Sequence, residues 1–105
     1  MKRFDVWLAN LDPTQGAEMR KTRPCVVLSP EVMNARLLTL LMAPLTRGGF
    51  RALFRVPCEL KGQAGQVALD QMRCLDKGRL VRRVGRLQPA EVAAVLRALA
   101  ELFGA

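Results

Sequence analysis

Between Arg3 and Leu11 apolar and polar positions nearly alternate, with Phe4, Val6 and Leu8 on one parity and Asp5, Trp7 and Ala9 on the other. That period of two predicts a strand. Asp12-Pro13-Thr14-Gln15-Gly16 ends it with turn residues, and no periodicity returns before Arg23. Residues 12–23 therefore read as one long, mobile loop, of the length that often carries function. Pro24 opens a short buried strand, Cys25–Leu28, since proline is tolerated at a strand's first position. Ser29 as cap and Pro30 as first helical residue predict one or two helical turns before Leu37. The run Leu37–Leu45, apolar apart from Thr39, predicts a central strand, and Thr46-Arg47-Gly48-Gly49 a turn. Further strands are expected over Leu53–Pro57, Val67–Leu75 and Leu80–Leu87, with Lys61–Gly65 as a flexible connection.

The last segment changes period. Val92, Val95, Leu96, Leu99, Leu102 and Phe103 share one helical face, with Pro89 at the start, Glu91 in the first turn and Gly104 at the end. This predicts a helix that buries all six side chains on the sheet. Many short strands and one closing helix make a mainly β fold with α, a small barrel with a C-terminal amphipathic helix. At 105 residues the chain reads as a single domain over 1–105.

Charge adds a partner to this picture. The chain carries 17 Lys and Arg against 9 Asp and Glu, a net +8, and most of the cations are arginine. Residues 89–105 hold only Arg97 against Glu91 and Glu101, so the excess lies outside the final helix. Arginine's planar fork suits phosphate and carboxylate, and the expected partner is an anion. The absences narrow the chemistry. There is no histidine, and three cysteines, Cys25, Cys58 and Cys74, lie far from any CxxC spacing. A zinc site and a disulfide framework are excluded on those counts, and each cysteine reads as a small core residue. No apolar run is long enough to cross a bilayer and no signal peptide is apparent, so a cytosolic location is expected.

Without imidazole, chemistry falls to arginine, carboxylate and hydroxyl. Arg23 stands where the charged loop meets rigid strand, a junction that holds a side chain better than mid-loop does. Thr46 ends the central strand and is followed by Arg47 and two glycines, where a hydroxyl and free amides could face a phosphate oxygen. Asp70-Gln71-Met72-Arg73 places polar groups inside an otherwise apolar strand.

Together these segments resemble a family. DVWLANLDPTQGAEMRKTRPCVVLS at 5–29, MAPLT at 42–46, FRVP at 54–57 and ALDQMRCLDKGRLVRRVGRL at 68–87, followed by the amphipathic helix, are similar in order and spacing to the MazF/PemK toxin endoribonucleases. The resemblance implies an SH3-like barrel of the CcdB/PemK type, a homodimer, and metal-independent cleavage of single-stranded mRNA with no cofactor. It also implies inhibition by an acidic antitoxin. Residue by residue, Arg23 matches the catalytic arginine of the R-P motif, Thr46 the threonine of A-P-x-T, and Glu18 the acid of G-x-E. Asp70 and Gln71 match the D-Q pair lining the RNA groove. Phe4 departs from a common glycine, and Ala68 stands where some members carry a second catalytic arginine.

In the implied reaction the ribose 2′-hydroxyl attacks its own phosphate. Arg23 and Thr46 would stabilise the non-bridging oxygens, and Glu18 would serve as base or base-orienter. Arg20, Lys21, Arg47 and Arg73 would bind backbone phosphates, in a groove that an acidic, disordered antitoxin tail could also cover. Two other readings are a CcdB-like toxin that binds gyrase and cuts nothing, and a plain RNA-binding barrel. Retention of both Arg23 and Thr46 favours the enzyme.

Overall fold

The computed structural model describes residues 1–11 and 21–104. Glu18, Arg20 and most of the expected loop lie outside them. Seven strands run β1 (Asp5–Asn10), β2 (Thr22–Val27), β3 (Thr39–Thr46), β4 (Arg55–Leu60), β5 (Gln63–Ala68), β6 (Arg73–Asp76) and β7 (Leu80–Arg86). Helix α1 (Glu31–Arg36) lies between β2 and β3, and α2 (Pro89–Phe103) closes the chain. The strands form one antiparallel sheet in the order β4-β5-β3-β2-β1-β7, and β6 also pairs with β3. The expected mainly β fold with a terminal helix is what forms. Among the described residues no helix is long and apolar enough to cross a membrane.

The unbroken apolar run in β3 has a physical cause, because the sheet is buried on both faces. Val6, Val26, Ala43, Leu45 and Val67 face one core with Val95 and Ala98 of α2. Ala9, Cys25, Val27, Leu40, Met42 and Leu75 face a second. The sheet curls enough for Leu60 of β4 to lie against Gly85 of β7, at its two edges. α2 guards the β4 edge as well. The Glu91 carboxylate accepts from Gln88 N at 2.7 Å and from Glu59 N at 2.8 Å, serving the helix start and the strand edge together.

Five expectations need correction. Ser29 does not cap α1, whose cap position is Pro30. Its hydroxyl donates to Asn34 Oδ1 at 2.6 Å and accepts from Leu41 N at 3.1 Å, tying α1 to β3. Lys61–Gly65 is not a flexible connection: Lys61 and Gly62 both adopt positive φ, 52° and 80°, and form a two-residue hairpin turn whose handedness matches the strand twist. Val67–Leu75 is not one strand. The chain leaves β3 after Ala68, makes a 3-10 turn at Leu69–Gln71, and pairs with β3 again as β6. The stripe on α2 is only partly buried, since Val95 is fully covered while Leu96, Leu102 and Phe103 are exposed. Cys25 and Cys58 are core residues, but Cys74 is exposed.

Candidate active site

Register sets the geometry of the site. In the β2–β3 ladder Cys25 pairs with Pro44, and carrying that register back two residues sets Arg23 opposite Thr46. Opposed residues in an antiparallel pair project from the same face. Thr46 pairs in turn with Gln66 of β5, and Arg55 of β4 with Ala68. Arg23, Thr46 and Gln66 thus lie in a row across one face of three neighbouring strands, and Arg55 stands on the same face of β4, two residues before Pro57, the partner of Gln66.

At one end of that row is a cleft of about 410 Å³, lined by Lys21, Arg23, Thr46 and Arg47 together with Leu60, Gln63 and Gly65. Gly65 is required by the close approach of β5, because a Cβ there would stand 2.6 Å from Thr46 O. Lys21 enters β2 with φ +67°, a conformation that L-residues adopt at some cost and that often marks functional sites. Among the described lining residues there are three cations and no carboxylate. Such a wall attracts phosphate and repels a divalent cation.

Of the other candidates, the described ones, Asp70, Gln71 and Arg73, do not line the cleft. Asp70 and Gln71 occupy the 3-10 turn rather than a strand. Asp70 takes both prongs of Arg55, Nε to Oδ1 at 2.6 Å and the guanidinium NH2 to Oδ2 at 2.9 Å. Hydrogen bonding to Arg55 holds the Asp70 carboxyl below its usual range against a smaller upward push from burial. Arg73, on β6, donates to Leu11 O at 2.8 Å and so fixes the last described residue before position 12. Arg55 escaped the sequence analysis, although it alternates out of phase with Val56 and Cys58 in the FRVP segment and so had to face away from their core.

The two buried thiols near this face are held in the protonated form. Burial pushes Cys25 up to about 12, with Arg73 and Arg23 opposing, and burial with the nearby Glu91 pushes Cys58 up to about 11. Neither is a nucleophile at neutral pH.

The family profile described as "PemK-like, MazF-like toxin of type II toxin-antitoxin system" matches residues 2–103. The chain belongs to this family. Endoribonuclease PemK of Escherichia coli is 33% identical over 109 residues, covering 98% of this chain and 82% of that protein. Endoribonuclease MazF of Staphylococcus epidermidis is 30% identical over 105 residues, covering 94% and 88%. Among solved structures, MazF from Deinococcus radiodurans superposes with a TM-score of 0.86 at 26% identity, over 100% of this chain and 97% of that one. A MazE–MazF complex from the same organism gives 0.79 at 26% identity, covering 99% and 96%. Against the family pattern, Phe4 is informative: it stands at φ +70°, the conformation glycine takes without strain.

Proposed function

We propose that this PemK/MazF-family chain is an endoribonuclease that cleaves single-stranded mRNA at specific sequences without a metal ion. The observation that carries the reading is the opposition of Arg23 and Thr46 across β2 and β3, in a cleft with three cations. The ribose 2′-oxygen attacks the adjacent phosphorus and the bond to the 5′-oxygen of the next nucleotide breaks. The products are a 2′,3′-cyclic phosphate and a 5′-hydroxyl end, whose oxygen takes its proton from solvent water as it departs. The nucleophile is tethered to its target, so orientation supplies much of the rate. Arg23 takes up charge growing on the non-bridging oxygens, and the Thr46 hydroxyl donates to one of them. A guanidinium remains protonated and does not accept the 2′ proton. That task is assigned to Glu18, outside the described residues. Asp70 is a weak candidate for it, because Arg55 stabilises its ionised form. Arg20, Lys21 and Arg47 hold neighbouring phosphates, and Arg73, Asp70 and Gln71, which do not line the cleft, contact the RNA strand further from the cut. The need for a 2′-hydroxyl excludes DNA from cleavage.

The same basic groove accepts an acidic antitoxin, a partner supported by the MazE–MazF complex of Deinococcus radiodurans. Assembly as a cytoplasmic homodimer completes the reading. It is supported by the apolar side chains the monomer leaves exposed, among them Leu38 and Phe103. The deciding experiment incubates the purified protein with single-stranded RNA in EDTA and analyses the fragment ends. Cyclic phosphate and 5′-hydroxyl ends are expected, and they should vanish in an Arg23→Ala, Thr46→Ala double variant. Intact RNA, or cutting that survives the double variant, refutes the assignment.

A further inference from the structure

Beyond Thr46 the row continues into a feature that the cleavage step does not use. Gln66, the partner of Thr46 in the ladder, donates from Nε2 to Phe50 O at 3.1 Å. The Arg55 guanidinium lies 4.7 Å from the centroid of the Phe50 ring, and Phe54 meets that ring edge-on at 5.9 Å and 73°. Gly49 makes this packing possible, since with φ +147° a Cβ there would stand 2.1 Å from Gln66 Oε1. Phe50 is nevertheless 53% exposed. An aromatic ring beside a Gly-Gly turn is thus held by two groups, Arg55 and Phe54, with its backbone tied to the partner of Thr46 by one hydrogen bond, and it is half exposed to solvent.

We propose that Phe50 is a base-stacking platform for a nucleotide of the RNA next to the scissile phosphate. The surrounding charge argues for nucleic acid. The flanking cations Arg47 and Arg51 are exposed, and residues 46–53 contain no acid. Arg55 is different, because both prongs of its fork are committed to Asp70 and it serves as the backing of the ring. A single strand presents bases and phosphates in alternation, which matches an aromatic face between two free guanidinium groups. A second copy of this chain would bring like charges together on the same loop. The contacts with Arg55 and Phe54 orient the ring and the Gln66 hydrogen bond fixes its backbone before RNA arrives, so little ordering cost remains for binding.

This inference rests on the RNA-cleaving reading, and its test separates the two. The cut is first mapped in a long transcript with wild-type protein. Oligoribonucleotides spanning it are then made with 2′-deoxyribose at the cut nucleotide, to block reaction, and 2-aminopurine at each neighbouring position in turn. One position should lose fluorescence on binding, as a stacked base does. Phe50→Leu should abolish that quenching and weaken binding by about 10- to 100-fold, while Phe50→Trp keeps both. The midpoint of thermal unfolding should fall only slightly in Phe50→Leu, which loses the contacts with Arg55 and Phe54 but leaves the buried core intact. Undiminished quenching and affinity in Phe50→Leu would overturn the inference while cleavage itself stands. Weakened antitoxin binding with RNA binding intact would overturn it too, and would assign the ring to a protein partner. Failure of the wild type to cut RNA strikes the parent reading instead.

Discussion

Arg55 and Asp70, paired through two short hydrogen bonds across 15 residues of sequence, join strand β4 to the 3-10 turn that follows β5. The Arg55 side chain is only 9% exposed, and its loss leaves the Asp70 carboxylate without either hydrogen bond of the fork. Arg55→Ala should cost about 1–3 kcal/mol of unfolding free energy, the range for a hydrogen bond to a charged group. Arg55→Lys should recover only part of it, since an ammonium cannot make the forked pair. A double-mutant cycle with Asp70→Asn, followed by urea denaturation, measures the coupling. A coupling energy of zero would show that the fork contributes no net stability.

Acid should expose a second carboxylate of this kind. Burial pushes the Asp5 carboxyl up, but the Lys2 amide, Arg86 and Arg83 together outweigh it and hold it below its usual range. A carboxyl with a folded-state pKa below its unfolded value contributes stability that is complete above about pH 4–5 and is lost as pH falls through the folded value. Asp5 and Asp70 both have this sign. Stability should therefore climb from about pH 2 to pH 5. An Asp5→Asn, Asp70→Asn variant should be less stable at neutral pH and show a flatter acid limb. An unchanged slope would remove both pairs from the account.

On the proposed mechanism, Arg23→Ala should lower kcat/KM for RNA by about 100- to 1,000-fold, as loss of one preorganised charge-stabilising donor does. Thr46→Val should cost less, about 10- to 100-fold, because a neutral hydroxyl is the weaker donor. The two act on the same phosphate oxygens, so the double variant should lose less than the product of the single losses. Single-turnover cleavage of one oligoribonucleotide measures all three. Far-UV circular dichroism should be unchanged, since both residues line the cleft rather than the core.

Much of this was legible in the chain and some was not, for physical reasons. Strands β1 and β7 showed in the sequence because their apolar positions and bounding turn residues are local, whereas β2 starts at Thr22, inside the segment that reads as loop, and Pro24 is its third residue rather than its first. The R-P and A-P-x-T residue types were legible as well, but the opposition of Arg23 and Thr46 needs the β2–β3 register, which is a tertiary fact. The break at Leu69–Gln71 is hidden because the segments before and after it pair with the same strand, and both are apolar for the same reason. Gln63–Gly65 looks like a linker until Lys61 and Gly62 take their positive φ values. On α2 the periodicity marked one stripe correctly. How much of that stripe the sheet covers depends on where β4 ends.

Phe4 offers a test with an unusual sign. Its ring is buried in the core and its backbone is paired, N to Val27 O at 2.7 Å and O to Leu87 N at 3.1 Å, yet φ is +70°. Phe4→Ala loses the ring, at about 3–5 kcal/mol, and keeps the strained backbone. Phe4→Gly loses the same ring but relieves the strain, which is about 1–2 kcal/mol for an L-residue in this conformation. Both variants should be less stable than the parent, with Gly above Ala, the reverse of the order at ordinary positions. Urea midpoints measured side by side check it, and Ala at or above Gly would show that no strain is stored at position 4.

The thiols give a last discrimination within the cleft itself. Cys58 lines the site, and its thiol is raised to about 11. At pH 7.5 roughly one molecule in several thousand carries the thiolate there. Cys25 is raised further, to about 12. Cys74 alone is exposed, on β6 opposite Leu41. Brief maleimide treatment of the native protein should therefore modify Cys74 and leave the other two unmodified, whereas the protein in urea should take up three labels. RNA cleavage by the singly labelled protein should remain within about twofold of the untreated rate, since no thiolate takes part in the charge stabilisation assigned to Arg23. Peptide mass spectrometry locates the label. Fast modification of Cys58 in step with loss of cleavage would mean that the thiol in this cleft is activated, and would reopen the chemistry of the site.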